Sequence, residues 1–271
     1  MANGSPPSTI EEAVRTTVSA GDTVYLGNFG AQLYVVGQEL IRQRYHDLHV
    51  IAGSGGLMLD QLIGSGVVHA ATFAHCWNPI GPAPAYNLRR AAEAGDPQVE
   101  IRELSLGVLN AAMQAAAWGV PFLPVAMSPE TGYVTDGWSR GMIAMVDSEF
   151  GSTLAVKALR PDVAFIYADH ADRWGNAVLT APYGEHLAAA TAAARTVVVA
   201  EEVTDSGQQL ALPATLAGVH VDTVVRHERA VWPDGAAGRY PRDIDEYRRY
   251  ATASSSADGF ATWLDSLRGV S

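Results

Sequence analysis

The sequence predicts an α/β fold, an open and largely parallel sheet with helices on both faces. Three observations predict it. Short β-branched runs alternate with helical stretches from one end of the chain to the other. The strand runs are apolar throughout rather than alternating apolar and polar, as expected of strands covered on both sides. Several of them end in Gly-rich turns that lead into a helix, the place where open α/β sheets bind ligands.

The elements follow in order. Residues 1–8 read as a flexible tail, and residues 9–271 as a single domain. Thr9 followed by Glu12 has the spacing of a capping box and opens a helix to about Ser19. Thr23 to Leu26 is a strand ending at "GNFG", Gly27 to Gly30, and a helix fits Val35 to Arg44. "LHVIAG" is the next strand, followed by "GSGG", a helix over Leu57 to Ile63, and the strand "VVHAATFA". "QVEIREL" reads as a strand and Ser105 to Trp118 as a helix, with Leu106, Leu109, Ala112, Met113 and Ala116 on one stripe. Gly119 stops it, and "PFLPV" is another strand. Met127 to Gly151 is rich in Gly, Pro and Ser and reads as irregular. "DVAFIYA" and "TVVVAEEV" are strands flanking a helix over Glu185 to Ala194, "VDTVVRHE" is a late strand, and a last helix covers Phe260 to Leu267.

Composition narrows the function. In 271 residues, 48% are apolar and 17% charged, which suits a chain with a substantial core. The net charge of −11 argues against nucleic acid or an anionic membrane as partner. Cys76 is the only cysteine, so no disulfide forms within the chain, which fits a reducing cytoplasm. The first residues lack the basic and apolar regions of a signal peptide, and no apolar run is long enough to span a membrane.

The common catalytic motifs lack their structural context. "GSGGLMLD" follows a strand, but Met58 stands at the third glycine of a dinucleotide fingerprint, and no acid occurs between Asp60 and Glu93. No P-loop pattern exists. "GWSRG" around Ser139 matches a nucleophile elbow but lacks the preceding strand and following helix. The eight histidines form no HExxH, so no metal site is expected; His170 with Asp172 reads as a solvated pair. Of Glu201 and Glu202, which point to opposite faces of a strand, one is expected to be solvated and the other ion-paired, with one buried and functional the alternative.

Six segments, in order, resemble the A-type (α) subunit of glutaconate-type family I CoA-transferases: "GDTVYLGNFG…VGQELIRQ", "GSGGLMLDQLIGSGVV", "EIRELSLGVLNAAMQAAAWGVPFLPV", "RPDVAFIYADHADRWGNAVL", "RTVVVAEEV" and "VDTVVRHE…GRYPRDIDEY". The resemblance covers almost the whole chain. It implies that CoA moves between an acyl-CoA and a carboxylic acid, with no permanently bound cofactor and a CoA thioester as substrate. It also implies a B-type partner, in a heterodimer or an α2β2 assembly, that carries the nucleophilic glutamate in an ENG- or ESG-like motif; this chain has neither.

This chain would then form the other wall of the site. Gly27, Asn28, Phe29 and Gly30, together with Ser54, Gly55 and Gly56, are the candidate substrate-binding residues, through backbone N–H groups aimed at a thioester oxygen. Glu103 and Ser105 are supporting candidates at a strand-to-helix junction, with a plain N-cap the alternative for Ser105. Asp172, Arg173, Gly175 and Asn176 are expected to build a turn. Two departures from the family stand out. Ala31 to Val36 contains no Arg where many members carry a basic stretch, so a dicarboxylate lacks an obvious counter-charge. Leu106 stands where a ring-opening hydrolase branch carries an acid. A decarboxylase branch and a non-catalytic acyl-CoA binding protein are the remaining alternatives.

Overall fold

The computed structural model describes residues 9–179, 183–204 and 212–269. The expected tail, residues 1–8, lies outside the described residues. Helix α1 (Ile10–Thr17) opens on Thr9, whose hydroxyl accepts from the Glu12 N–H. Strand β1 (Thr23–Tyr25), helix α2 (Tyr34–Arg42), strand β2 (Leu48–Ser54), helix α3 (Gly56–Gly64) and strand β3 (Val68–His75) follow. Then come α4 (Tyr86–Ala94), β4 (Glu100–Glu103), α5 (Leu106–Ala117), β5 (Phe122–Pro124), α6 (Gly132–Thr135), β6 (Ile143–Ser148) and β7 (Gly151–Lys157). The chain continues with β8 (Val163–Asp172), β9 (Ala177–Val178), α7 (His186–Ala192), β10 (Arg195–Thr204), β11 (Thr223–Arg226), α8 (Ile244–Ser254) and α9 (Ala257–Arg268).

The main sheet runs β11-β10-β8-β1-β2-β3-β4, all parallel, with β9 antiparallel on β8. Alternate residues of each strand feed two separate cores. Val24, Val50, Phe165, Tyr167, Val197 and Val199 pack with α1, α2, α3, α8 and α9. Tyr25, Ile51, Ile166, Val198 and Ala200 pack with α5, α7 and the small sheet described next. Both faces of every central strand are therefore buried, which is why these runs show no polar alternation.

Four expectations are corrected. The stretch 127–151 is not irregular: it holds α6 and β6, and β6 pairs antiparallel with β7 in a three-stranded sheet β5-β7-β6. "PFLPV" joins that small sheet, not the main one. Helices α4 and α8 were not foreseen, because their polar faces hide the apolar stripe; α8 buries only Tyr247, Tyr250, Ala251 and Ser254. On α5 the buried stripe keeps Leu109, Ala112, Met113 and Ala116, whereas Leu106, its first residue, is exposed.

Polar residues close the ends of the strands. Asp169, His170 and Asp172 remain within β8. The Asp172 carboxylate accepts from the N–H groups of Trp174 and Asn176, both at 2.9 Å, and from Asn176 Nδ2 at 2.7 Å. Gly175, at φ +87°, completes the turn. Strand β4 forms one edge of the main sheet, and there Arg102 Nε donates to Glu100 at 2.9 Å.

Two buried histidines make stability depend on pH. Burial, and then the nearby Arg102, lowers the His49 pKa to about 4; burial lowers that of His186 to about 4. Both are neutral in the fold and protonate more readily once unfolded. The stability they lend is full above about pH 6.5 and is lost as the pH falls toward 4, by up to about 3 kcal/mol each. Urea midpoints at pH 7 and pH 4.5 should show this fall, and His186→Phe should flatten it; an unchanged pH slope in that variant would contradict the assignment.

Candidate functional site

The site is built where β1, β2 and β3 end. β1 leads into Gly27, whose φ of +107° only glycine adopts readily. The turn is closed by Ala31 N–H donating to the Asn28 carbonyl at 2.9 Å and by Gly53 N–H donating to the Gly27 carbonyl at 3.1 Å. β2 leads through Ser54 into Gly55 and Gly56 at the start of α3. Gly56, at φ +51°, leaves room for the Gln32 side chain, where a Cβ would meet its amide. Gln32 Nε2 donates to the Ser54 carbonyl at 2.6 Å and to Ser54 Oγ at 3.3 Å, tying the two turns together. After β3, Trp77 extends an aromatic row: Phe29 and His75 have ring centroids 4.9 Å apart, His75 and Trp77 5.9 Å.

Between these turns lies a cavity of about 130 Å³ lined by Phe29, Gln32, Ser54, Gly56, Trp77, Pro79, Asp234, Arg242 and Tyr247. Its charged pair comes from a distant loop. Arg242 Nε donates to Asp234 Oδ1 at 2.6 Å, and the guanidinium lies 5.6 Å from the centre of the Tyr247 ring. A larger groove of about 500 Å³ runs between α2, α8 and α9, but its arginines, Arg42 and Arg249, are already paired with Glu39 and Glu246.

Beneath the first turn sits Glu185, 1% exposed. It accepts from the Tyr25 hydroxyl at 3.1 Å and from Asn28 Nδ2 at 2.8 Å, and burial raises its pKa. Fixing the Asn28 amide this way turns Oδ1 toward the Phe29 N–H, at 2.7 Å. Gly53 and Gly184 have no side chain to displace this arrangement; a Cβ on either would overlap Glu185 or Asn28.

The structure brings Phe29, Ser54 and Gly56 to the cavity and leaves Gly27, Asn28, Gly30 and Gly55 in the turns around it. The Phe29 N–H is taken by Asn28 Oδ1 and the Gly55 N–H by the His75 carbonyl at 2.9 Å, so these two are not open to a thioester oxygen. Glu103 and Ser105 do not line the cavity. Ser105 Oγ accepts from the Val108 N–H at 3.3 Å, the N-cap of α5, and burial raises the Glu103 pKa. Ser139 Oγ donates to the Tyr133 carbonyl at 2.6 Å. The Cys76 thiol donates to the Gly56 carbonyl, and burial pushes its pKa up. Among the described residues no group of three or more His, Cys, Asp or Glu could hold a metal ion, and no helix is long and apolar enough to cross a membrane.

Glu202 is ion-paired with Arg239 at 2.9 Å and hydrogen-bonded to His170 Nε2 at 3.1 Å. Glu201 follows the alternative as far as burial goes: it is buried, accepting from the N–H groups of Arg229 and Ala230 and from the Tyr240 hydroxyl. Sequence reasoning missed Glu185, Gln32, Trp77, Asp234 and Arg242. The one signal available for the last two was the Gly- and Pro-rich loop "PDGAAGRYPRD", since such loops often carry function.

Comparison with known proteins agrees with this geometry. The family described as coenzyme A transferase matches residues 8–227. The A-type subunit of 3-oxoadipate CoA-transferase from Pseudomonas knackmussii is 31% identical over 97% of this chain and 93% of its own. The cholesterol ring-cleaving hydrolase IpdA subunit of Mycobacterium tuberculosis is 27% identical over 94% of this chain and 90% of its own. Among solved structures, glutaconate coenzyme A-transferase from Acidaminococcus fermentans superposes with a TM-score of 0.88 at 26% identity, covering 96% of this chain and 88% of that one. The decarboxylase AibA/AibB gives 0.81 at 28% identity and covers 96% of both chains. The chain thus belongs to the coenzyme A transferase family, on sequence over most of its length and on the α/β architecture alike.

Proposed function

We propose that this chain is the A-type subunit of a heteromeric CoA-transferase that moves CoA between an acyl-CoA and a carboxylic acid, with the nucleophilic glutamate on a B-type partner. The observation that carries this reading is the state of the carboxylates. Asp234 is the only one lining the cavity among the described residues, and it is held by Arg242 and the Gly235 N–H. Glu185 is enclosed below. Such a wall can bind and orient but, among the described residues, offers no free carboxylate as nucleophile.

The partner's carboxylate would attack the thioester carbonyl and expel CoA thiolate, leaving an acyl-glutamyl anhydride. The thiolate would then attack the glutamyl carbonyl, releasing the first acid and leaving a glutamyl-CoA thioester. The acceptor acid would take CoA by the same two steps in reverse. Ser54, Gln32 and the start of α3 would face the reacting acyl group, with Gly27 to Gly30 shaping the rim. Glu103 and Ser105, which lie outside this cavity, would contribute only by holding the start of α5, and residues 9–271 would act as one domain. The assembly, a heterodimer or α2β2, works in the cytoplasm, with the CoA thioester as substrate and no resident cofactor.

A second reading has an observation in its favour: the decarboxylase AibA/AibB matches end to end. The hydrolase reading has less support, since the exposed Leu106 stands where its acid is expected.

The test is co-expression with the product of the adjacent gene, followed by acyl-CoA turnover with and without an added carboxylic acid, read by mass spectrometry. Transfer of CoA to the acceptor is expected. Carbon dioxide or free CoA released without acceptor would replace transfer by decarboxylation or hydrolysis, and absence of both complex and turnover would leave a binding protein.

A further inference from the structure

We propose that Arg242 is a specificity-determining residue of this cavity: its guanidinium receives a carboxylate at the far end of the acid or acyl group that enters between Phe29, Ser54 and Trp77. The inference rests on the proposed reaction only for what happens to the ligand afterwards.

Four observations carry it. Arg242 is held in place rather than consumed. Asp234, whose side chain is 6% exposed, binds it through Nε and is itself fixed by the Gly235 N–H at 2.9 Å. The Tyr247 ring backs the guanidinium, and the Tyr247 hydroxyl is fixed in turn by Tyr34 at 3.0 Å. The bond from Nε to Asp234 and the contact with the Tyr247 hydroxyl leave part of the fork of terminal amino groups for a carboxylate. The Arg242 side chain is 39% exposed while its partner is enclosed, so the open end of the pair is the cation.

The second observation is the rest of the lining. Phe29, Pro79 and Trp77 offer apolar surface for methylene groups. Ser54 Oγ accepts from Gln32, which leaves its own O–H to donate to a ligand. The start of α3 at Gly56 adds the positive end of a helix dipole to the Arg242 charge.

Size is the third. The cavity, about 130 Å³, is far smaller than the groove of about 500 Å³ between α2, α8 and α9, so it suits the acid end of a substrate rather than the whole of CoA.

The fourth is the first turn itself. Ala31 to Val36 supplies no cation, and Leu33 in its middle is fully buried. Asp234 offsets the charge of Arg242 but not its hydrogen-bonding capacity. The counter-charge that the first turn lacks is therefore supplied from a loop some two hundred residues further along the chain.

Trp77 provides a reporter inside the cavity. The full chain is titrated with glutarate, and separately with the neutral glutaramide, following tryptophan emission. Glutarate should give a saturable change that disappears in Trp77→Phe. In Arg242→Gln its affinity should fall at least tenfold, while the weaker response to glutaramide should fall far less. Arg242→Lys keeps the charge and the Asp234 pairing but loses the fork, and should fall between the two; it decides the matter if the glutamine variant does not fold. No saturable response to glutarate in the unaltered chain, equal glutarate affinity in Arg242→Gln, or equal loss for both ligands would overturn the proposal. With the partner present, Arg242→Gln should raise KM for dicarboxylate acceptors at least tenfold more than KM for monocarboxylate acceptors. If the complex transfers no CoA at all, the proposed reaction fails, but the glutarate titration still decides the role of Arg242.

Discussion

Gly27→Ala is expected to destabilise the protein by about 3–5 kcal/mol, the sum of backbone strain and overpacking. At φ +107° an alanine is strained wherever it sits, and here the added Cβ would overlap the Ala31 carbonyl oxygen. That oxygen belongs to backbone, so no side-chain rotation relieves the overlap. The turn would have to open, breaking the Ala31-to-Asn28 and Gly53-to-Gly27 hydrogen bonds that join the ends of β1 and β2. Gly30→Ala is the matched control. Its φ is +66° and a Cβ would meet open space, so it should cost only about 1 kcal/mol. Urea denaturation of both variants checks the pair; a Gly27→Ala midpoint close to that of Gly30→Ala would show that the turn yields more easily than its hydrogen bonds imply.

Glu185→Ala should cost about 3–4 kcal/mol, because it leaves the Tyr25 hydroxyl and the Asn28 amide buried without partners and opens a void beside them. Glu185→Gln should cost less than about 1 kcal/mol at neutral pH: its amide can offer oxygen to Asn28 and N–H to the Tyr25 oxygen. The two variants also separate on pH. Burial raises the Glu185 pKa above its ordinary value of 4.5, so the folded protein holds the proton more tightly than the unfolded chain. The stability linked to that proton is full below about pH 4.5 and is lost as the pH rises toward the folded-state value. This slope runs opposite to that of His49 and His186, so the glutamine variant should gain stability relative to the unaltered protein at alkaline pH. Parallel urea titrations of the two proteins between pH 5 and 9 would test it, and superimposable slopes would show that Glu185 is already ionised in the fold.

Sequence reading found the central strands because their signal is local: "HVIAGS", "VAFIYA" and "TVVVA" are buried on both faces, and an unbroken apolar run bounded by polar residues shows in the residues themselves. It found the Gly-rich turns for the same reason, since a positive φ leaves its mark in the residue type. It missed what depends on distant pairing. "MIAMV" reads as strand-like, but its antiparallel partnership with β7 in a second sheet is a matter of pairing that the residues themselves do not show. Glu185 looked like the start of an Ala-rich helix, and only the fold shows that it lies under Asn28, 157 residues away. Arg242 looked like one of several loop arginines, and its meaning comes from Asp234, Tyr247 and the ends of β1 and β2. The candidate residues in the turns were therefore legible as places, while the charges that equip those places were not.

The edge of the main sheet at β4 bears on how the protein survives its own concentration in the cell. An open sheet offers a row of unpaired backbone groups to any other extended chain, and every added strand would expose a fresh edge. At β4 that row is covered in part: the Glu103 N–H donates to the Trp138 carbonyl at 2.9 Å and the Ile101 carbonyl accepts from Arg140 Nε at 3.4 Å, while Glu100 and Arg102 pair with each other. An intruding strand would have to break these bonds before making its own. Growth by strand addition is thereby discouraged on this side. The short "EIRE" strand thus helps keep a two-faced sheet from becoming the seed of a fibre.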